Sequence, residues 1–424
     1  MFNGMIEATV IFAIAYAFIV SEKIHKTLIV LLGVGAYFFL HLVPFEEAIH
    51  HIDMNVILLL IGMMVIVSIT EKSGVFEWIA IWAAKKVKAG PKLILTMLIV
   101  ITAVFSAFLD NVTTVLLIGP VSLLIAKQLK IDPMAFLVPE IFSSNLGGTA
   151  TLIGDPPNIM IGSAAGLSFM DFLLELAPLI SLQIVIFIGI FILIFRKKLI
   201  VSAMDRAKIM DMDESRLIKN KSLLIKSLIV LGSVILGFML HGLLEVEASI
   251  IALVGASILI IWTKSDTDQA LKKVEWSTLM FFIGLFMMVG GLVHTGAIGK
   301  LADLIMKETG GDIKATSGAI LWFSGIASGI LDNIPLVATF IPVVKEMGTT
   351  IGQDQIMPIW WSLSLGACLG GNGTIIGASA NVIMMDFAKR NNIPLNFMSF
   401  LKYSALLTIL SLAISYVYVM LRFF

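Results

Sequence analysis

The sequence predicts an all-α polytopic membrane protein: two inverted repeats of five transmembrane helices each plus a re-entrant helical hairpin, with broken helices at mid-membrane. Three observations carry this prediction. The 424 residues are 58% hydrophobic and 14% charged, with a mean hydropathy of +1.01, far from a soluble balance. Apolar runs at 5–20, 56–69, 180–195, 223–240 and 399–421 reach or approach the roughly 20 residues that cross a bilayer. Finally, Phe108-Leu109-Asp110-Asn111 recurs 222 residues later as Ile330-Leu331-Asp332-Asn333.

In chain order, spans are predicted at 5–20, 27–43 and 52–70, a hairpin at 93–127, a broken span at 135–166 and a span at 171–195. A basic linker follows at 199–222. The second set comprises 223–241, 247–263 and 274–292, a hairpin at 314–348, a broken span at 356–388 and a span at 397–421. This divides the chain into a first repeat (1–198), the linker and a second repeat (223–424). The offset is nearly constant over more than a hundred residues. Gly62 matches Gly284 and Pro120 matches Pro342 at 222; Gly147-Gly148 matches Gly370-Gly371 and Asn158 matches Asn381 at 223. The hairpin arms could span fully or re-enter, and the scarcity of polar residues at the tips favours re-entry.

An odd number of crossings per half turns the second half upside down in the bilayer. Arg196, Lys197, Lys198, Arg206, Lys208, Arg216, Lys219 and Lys221 crowd the central segment 196–226, which places it in the cytoplasm of a plasma (inner) membrane protein. Counting outward puts Lys26, Lys72, Lys85, Lys86 and Lys88 on the same side. Glu46, Glu47, Glu245, Glu247 and both termini fall outside. Lys300, Lys307 and Lys314 break the bias, in a segment of mixed charge. The N-terminal run lacks a basic stretch and a cleavage site and is expected to be retained.

A carboxylate at the bilayer centre costs roughly 2.5–3.5 kcal/mol, so Asp110 and Asp332 mark a pathway for ions or solutes. The stretch Asn145 to Asn158 holds Gly147, Gly148, Thr149, Thr151, Gly154, Asp155 and two prolines, which cannot sustain a regular helix. Its partner holds Gly370, Gly371, Asn372, Gly373, Thr374, Gly377, Ser379 and Asn381. Unwound backbone at membrane depth is tolerated where it is buried or lines a cavity, and half-helix ends suit anions or cations. Close helix packing alone would also explain the glycines; two related breaks beside two Asp-Asn tips favour a transport site. The halves differ, since Ala378 stands opposite Asp155, Ser379 opposite Pro156 and Asn372 opposite Thr149. Three acids thus remain in the centre, Asp110, Asp155 and Asp332, and their crowding away from water gives a route to proton coupling. Each could instead hold Na⁺ or cap a half-helix.

Other residues carry less weight. Glu140, opposite Leu363, approaches the first break. Cys368 reads as a small packing residue. Trp78, Trp82, Trp360 and Trp361 read as interfacial anchors. One cysteine excludes an internal disulfide or a thiolate cage, and the six histidines fall near helix ends. No resident cofactor or metal is expected, only a coupling ion, H⁺ or Na⁺. Zero net charge gives no reason to expect a nucleic-acid partner.

At these motifs the chain resembles the ion transporter superfamily that includes the ArsB arsenite permeases, the NhaD sodium/proton antiporters, the P protein and the SLC13-like dicarboxylate carriers. Phe108-Leu109-Asp110-Asn111-Val112-Thr113-Thr114, Gly154-Asp155-Pro156-Pro157-Asn158 and Leu331-Asp332-Asn333-Ile334-Pro335 are most similar to the P-protein branch. The resemblance implies separate scaffold and transport domains, with substrate held between hairpin tips and helix breaks. It carries a binding role onto Asp110, Asn111, Thr113, Asn158, Asp332, Asn333, Thr374 and Asn381; position adds Thr114, Asn145, Thr149, Thr151, Asp155, Asn372 and Ser379. The Ser-Asn-Thr tips of the dicarboxylate carriers are replaced here by acids, which disfavours a dicarboxylate.

The function expected is a secondary active transporter, a proton-coupled antiporter exporting arsenite or antimonite by alternating access. Na⁺/H⁺ antiport, or carriage of another small inorganic or organic anion, is the alternative, and an ion channel a remote one. No hydrolase motif is present, so no enzymatic activity is expected. Partners implied are the lipid bilayer and a small ion or oxyacid, with a homodimer by analogy and an ATPase subunit in the case of an arsenite pump.

Overall fold

The computed structural model describes residues 2–21 and 23–424, the side chains of Phe2 and Asn3 excepted. The first half holds α1 (Phe2–Ser21), α2 (Lys26–Phe39), α3 (Phe45–His50), α4 (Met54–Glu71), α5 (Val75–Lys86), α6 (Pro91–Phe108), α7 (Asn111–Leu129), α8 (Met134–Thr149), α9 (Pro156–Ala165), α10 (Phe169–Glu175) and α11 (Ala177–Phe195). The linker carries α12 (Ala203–Met210). The second half holds α13 (Lys221–Leu244), α14 (Ala248–Thr263), α15 (Thr267–Lys272), α16 (Trp276–His294), α17 (Ala297–Glu308), α18 (Ile313–Ser328), α19 (Asn333–Ile351), α20 (Met357–Gly370), α21 (Ser379–Arg390) and α22 (Phe397–Phe423).

Among the described residues nine helices are long and apolar enough to cross a membrane. They turn large apolar side chains outward: Val185, Leu193, Ile261 and Leu406 are each at least 65% exposed. Water would penalise such a surface, whereas lipid accepts it. The protein is therefore a multi-pass membrane protein.

Matched elements pack reciprocally. α4 lies along α14 and α16 along α2; α6 lies on α8 and α18 on α20; α7 meets α21 and α19 meets α9. Matched polar contacts tie these pairs. Thr27 Oγ1 donates to Ser277 O at 2.7 Å, and Ser249 Oγ donates to Asn55 Oδ1 at 3.0 Å; 27 matches 249 and 55 matches 277.

The helix ends fall into two groups. On one face the linker meets the first half: Lys219 N–H donates to Ser73 O at 3.0 Å and Lys85 donates to Glu214. Lys198 pairs with Asp132 at 2.6 Å on that face. Ser202 caps α12, and Lys208 and Ser202 donate to Asp205, whose carboxyl is drawn down to about 2, chiefly by Lys208. On the other face Glu47 pairs with His294 at 2.7 Å and Glu175 with Arg422 at 3.0 Å.

Some expectations need correction. The span read as 171–195 is two helices that meet at Leu176, because Pro178 near the start of α11 cannot donate into a preceding turn. α9 and α10 are bent by 113° to each other. Trp360 and Trp361 are each only 3% exposed; Trp361 packs edge-on against Phe172, so these are core residues, not interfacial anchors. Trp82 is exposed and stacks on Trp78. The segment holding Lys300 and Lys307 forms a surface helix, α17, matched by α5.

Backbone-to-backbone contact joins each first hairpin arm to its broken helix. A Cβ on Gly147 would lie 2.1 Å from Ala103 O, and one on Gly370 would lie 2.2 Å from Gly325 O. Gly147→Ala and Gly370→Ala are each expected to cost about 3 kcal/mol, the upper end of the usual overpacking range, because backbone cannot yield as a side chain does. Gly35→Ala, with nothing within 4 Å, should stay within about 0.5 kcal/mol. Thermal melting of the detergent-purified protein distinguishes these outcomes.

Candidate functional site

Both hairpins end inside the protein, on one cavity of about 610 Å³. Asp110 and Asn111, Asp155 and Pro156, and Asp332 and Asn333 all line it. The two tips and the first break therefore converge. The cavity also takes Ile24, His25, Lys26, Glu275, Ser379 and Asp386. Glu275, Asp386, His25 and Lys26 were not singled out from the sequence as site residues.

Each tip aspartate caps the second arm of its hairpin. Asp110 accepts from Thr113 N–H at 2.8 Å and from the Thr113 hydroxyl at 2.6 Å. Asp332 accepts from Ile334 N–H at 3.2 Å through one oxygen. Its other oxygen accepts from Lys26 Nζ at 2.7 Å and from Ser379 Oγ at 3.2 Å. Such caps satisfy one orphan donor at a helix start, so half-helix capping is part of what these acids do.

Asp155 behaves differently. It precedes α9 but makes no side-chain cap there. Its carboxylate instead accepts from Asn333 Nδ2 at 3.2 and 3.3 Å, across to the tip of the opposite half. Ala378 in the second break has nothing to offer the first tip.

Behind the cavity lies an amide network. Asn111 Nδ2 donates to Asn145 Oδ1 at 3.1 Å; Asn145 Nδ2 donates to Asn372 Oδ1 and Asn381 Oδ1, each at 2.9 Å. Asn158 Nδ2 reaches the carbonyls of Gly148, Thr149 and Thr151 at 3.4, 3.1 and 3.0 Å. Asn381 Nδ2 repeats this on Gly371 and Thr374 at 2.7 and 2.9 Å. Asn158 Oδ1 accepts from Ser364 at 2.6 Å and from Cys368 Sγ at 3.4 Å. Asn145, Asn158, Asn372 and Asn381 are fully buried and do not line the cavity; their amides hold the two breaks together.

The threonines divide likewise. Thr149 donates to Asn145 O at 2.7 Å and Thr151 to Ala107 O, while Thr374 Oγ1 accepts from Ile376 N–H at 3.2 Å. The Thr114 hydroxyl is buried without a partner. Glu140 lies away from the cavity, where one oxygen accepts from Ser122 and the other has no partner. Gly148 and Gly154 approach each other's backbone, as do Gly371 and Gly377; Gly373 lies against Gly329. Among the described residues no cluster of three or more His, Cys, Asp or Glu could hold a metal ion.

A second cavity, of about 330 Å³, opens near Ser168, His241 and Glu245. Its residues Ile159, Ser163, Val246, Glu247 and Ala248 match Val382, Asp386, Ile24, His25 and Lys26 of the first. It reaches neither tip. The two vestibules thus lie at matched positions of the repeat, but one is joined to the acids and the other is not.

Multi-pass helices, two interrupted helices and a shared acidic cavity define a membrane transporter. The citrate transporter (CitMHS) family model matches residues 16–366, and the chain belongs to that family within the ion transporter superfamily. It is 43% identical to an uncharacterized transporter of Mycobacterium tuberculosis over 422 residues, 98% of each chain. A 46 kDa membrane protein of Mycobacterium leprae is 42% identical, again over 98% of each. The P protein of Mus musculus is 30% identical over 98% of this chain and 60% of its own length.

Removing the Asn158 amide would orphan buried backbone carbonyls and the Ser364 hydroxyl, each at about 1–3 kcal/mol. Asn158→Ala is expected to lose more than about 3 kcal/mol or fail to accumulate folded protein. Thr374→Ala, which gives up one cap, should cost only about 1 kcal/mol. Melting temperature and size-exclusion profile check the contrast.

Proposed function

We propose that this chain is a proton-coupled secondary carrier working by alternating access, with Asp110, Asp155 and Asp332 as its ion-handling acids. The observation that carries the reading is the pair of sequence-equivalent vestibules, only one of which reaches those acids. A carrier with inverted repeats converts between its two faces by exchanging the roles of its halves. The closed vestibule is then the same pathway seen from the opposite side. The basic linker sets the open vestibule towards the cytoplasm, with both termini outside and the hairpins re-entrant.

The chemistry of the open cavity supports a small cation or an uncharged solute. Five carboxylates, Asp110, Asp155, Glu275, Asp332 and Asp386, outnumber Lys26 and His25 on its wall. Such a wall concentrates cations and repels a free citrate or dicarboxylate anion. Na⁺/H⁺ exchange fits this best. Export of arsenite or antimonite against protons is the second reading, favoured because these oxyacids are uncharged near neutral pH and are not repelled.

Everted membrane vesicles test both. Na⁺ should collapse a respiration-driven proton gradient only where the chain is present, while proton-driven arsenite uptake would select the second reading and citrate uptake neither. Asp110→Asn and Asp155→Asn are each expected to slow the active exchange at least about 10-fold, or ~1.4 kcal/mol. Full rates with unchanged pH dependence in both variants would reject these acids as the coupling groups.

A further inference from the structure

Asp110 and Asp332 hold equivalent positions, yet different chemistry balances them. Asp110 takes two donors from Thr113. The residue matching Thr113 is Pro335, which has neither N–H nor hydroxyl to give. The other half of the molecule supplies the replacement. Lys26 Nζ lies 2.7 Å from Asp332 Oδ2, 3.2 Å from Ser379 Oγ and 4.8 Å from the centre of the Phe281 ring.

None of these groups has an equivalent in the other half. Lys26 is matched by Ala248, Ser379 by Pro156 and Phe281 by Leu59. Four differences between otherwise duplicated halves thus fall on one ammonium and its surroundings. An ammonium between a carboxylate and a hydroxyl, over an aromatic face, satisfies the same requirements as a bound monovalent cation. The ion pair also bridges elements that are not neighbours in sequence. Lys26 starts α2, which packs along α16, whereas Asp332 and Ser379 belong to the second hairpin and the second broken helix.

We infer that Lys26 is a tethered counter-ion, whose ammonium fills the place of a free cation at Asp332 and Ser379. In this conformation, of the three central acids, only Asp110 and Asp155 exchange ions with solution. The other titratable groups facing the pair are Tyr16 on α1, His25 beside Lys26, Glu275 before α16, Asp386 on α21, Asp110 across the cavity and Asp155 through Asn333. In the opposite conformation Ala248 takes the matching position and brings no charge, so the carrier is neutralised from within on one side of its cycle only. This deepens the carrier reading above and rests on it.

The test uses the purified full chain in detergent and reads melting temperature in sodium against choline chloride at alkaline pH, then again at acid pH. Lys26→Met should open a site at Asp332 and add several degrees of stabilisation by Na⁺ or by protons beyond the wild-type response, because a ligand that binds only the folded state stabilises it. Lys26→Arg should respond as the wild type does, and Lys26→Met with Asp332→Asn should lose the gain. A Lys26→Met protein whose response to both ions equals that of the wild type would overturn the inference. Should Lys26→Met not fold, Asp332→Asn alone decides: an unchanged sodium response supports a site already filled by Lys26, and a lost response refutes it. These readings require no transport, so a failed vesicle assay would count against the carrier reading and leave this result legible.

Discussion

Interrupting a helix inside a bilayer frees backbone carbonyls where no water can reach them, and each must find a partner within the protein. Asn158 and Asn381 meet that requirement at the two breaks, each amide reaching back to carbonyls seven and ten residues upstream. The rest of the centre depends on this closure. Once the breaks are held, Asp155 is free of any capping duty and its carboxylate can face the cavity. The hairpin tips then have a fixed surface to meet. Asn145 joins the two closures by donating to Asn372 and Asn381 of the other half, so the interrupted helices share one polar core.

Packing follows a different rule from that of a soluble core. Lipid offers no hydrophobic drive between helices, and close contact must supply the attraction instead. Gly147 and Gly370 let whole backbones touch, with no space left for even a Cβ. Glycines in the last turn before each break therefore bind the hairpin arms to the broken helices. Close packing and site formation, which looked like competing explanations of these glycines, are one arrangement.

Duplication provides the frame, and divergence within it provides the polarity. The paired contacts of Thr27 with Ser277 and Ser249 with Asn55 preserve the common scaffold. Asp155 against Ala378, and Lys26 against Ala248, give the first half both an acid and a base that the second half lacks. A symmetric frame allows two equivalent vestibules, while unequal charges make the two faces chemically distinct.

The crossings, the hairpins, both breaks and the three central acids are legible in the sequence, because hydropathy, glycine-proline punctuation and a constant offset are local or periodic signals. Other features leave no such trace. Helices α5 and α17, of 12 residues each, are too short to register as spans, and Trp360 and Trp361 look interfacial until the fold buries them. Asn158 looks like a ligand group until backbone carbonyls claim its amide, and Asn145 until the side chains of Asn111, Asn372 and Asn381 claim its own. Lys26 reads as a cytoplasmic topology marker, and its partner stands 306 residues away. Its one sequence signal is that Pro335 has replaced Thr113 and left Asp332 short of donors. By itself, then, the sequence determined the apolar character, the repeat and the acids. Only the tertiary structure decided which polar groups are spent on the backbone and which face the cavity, since a buried donor is committed by whichever acceptor the fold brings within hydrogen-bond reach.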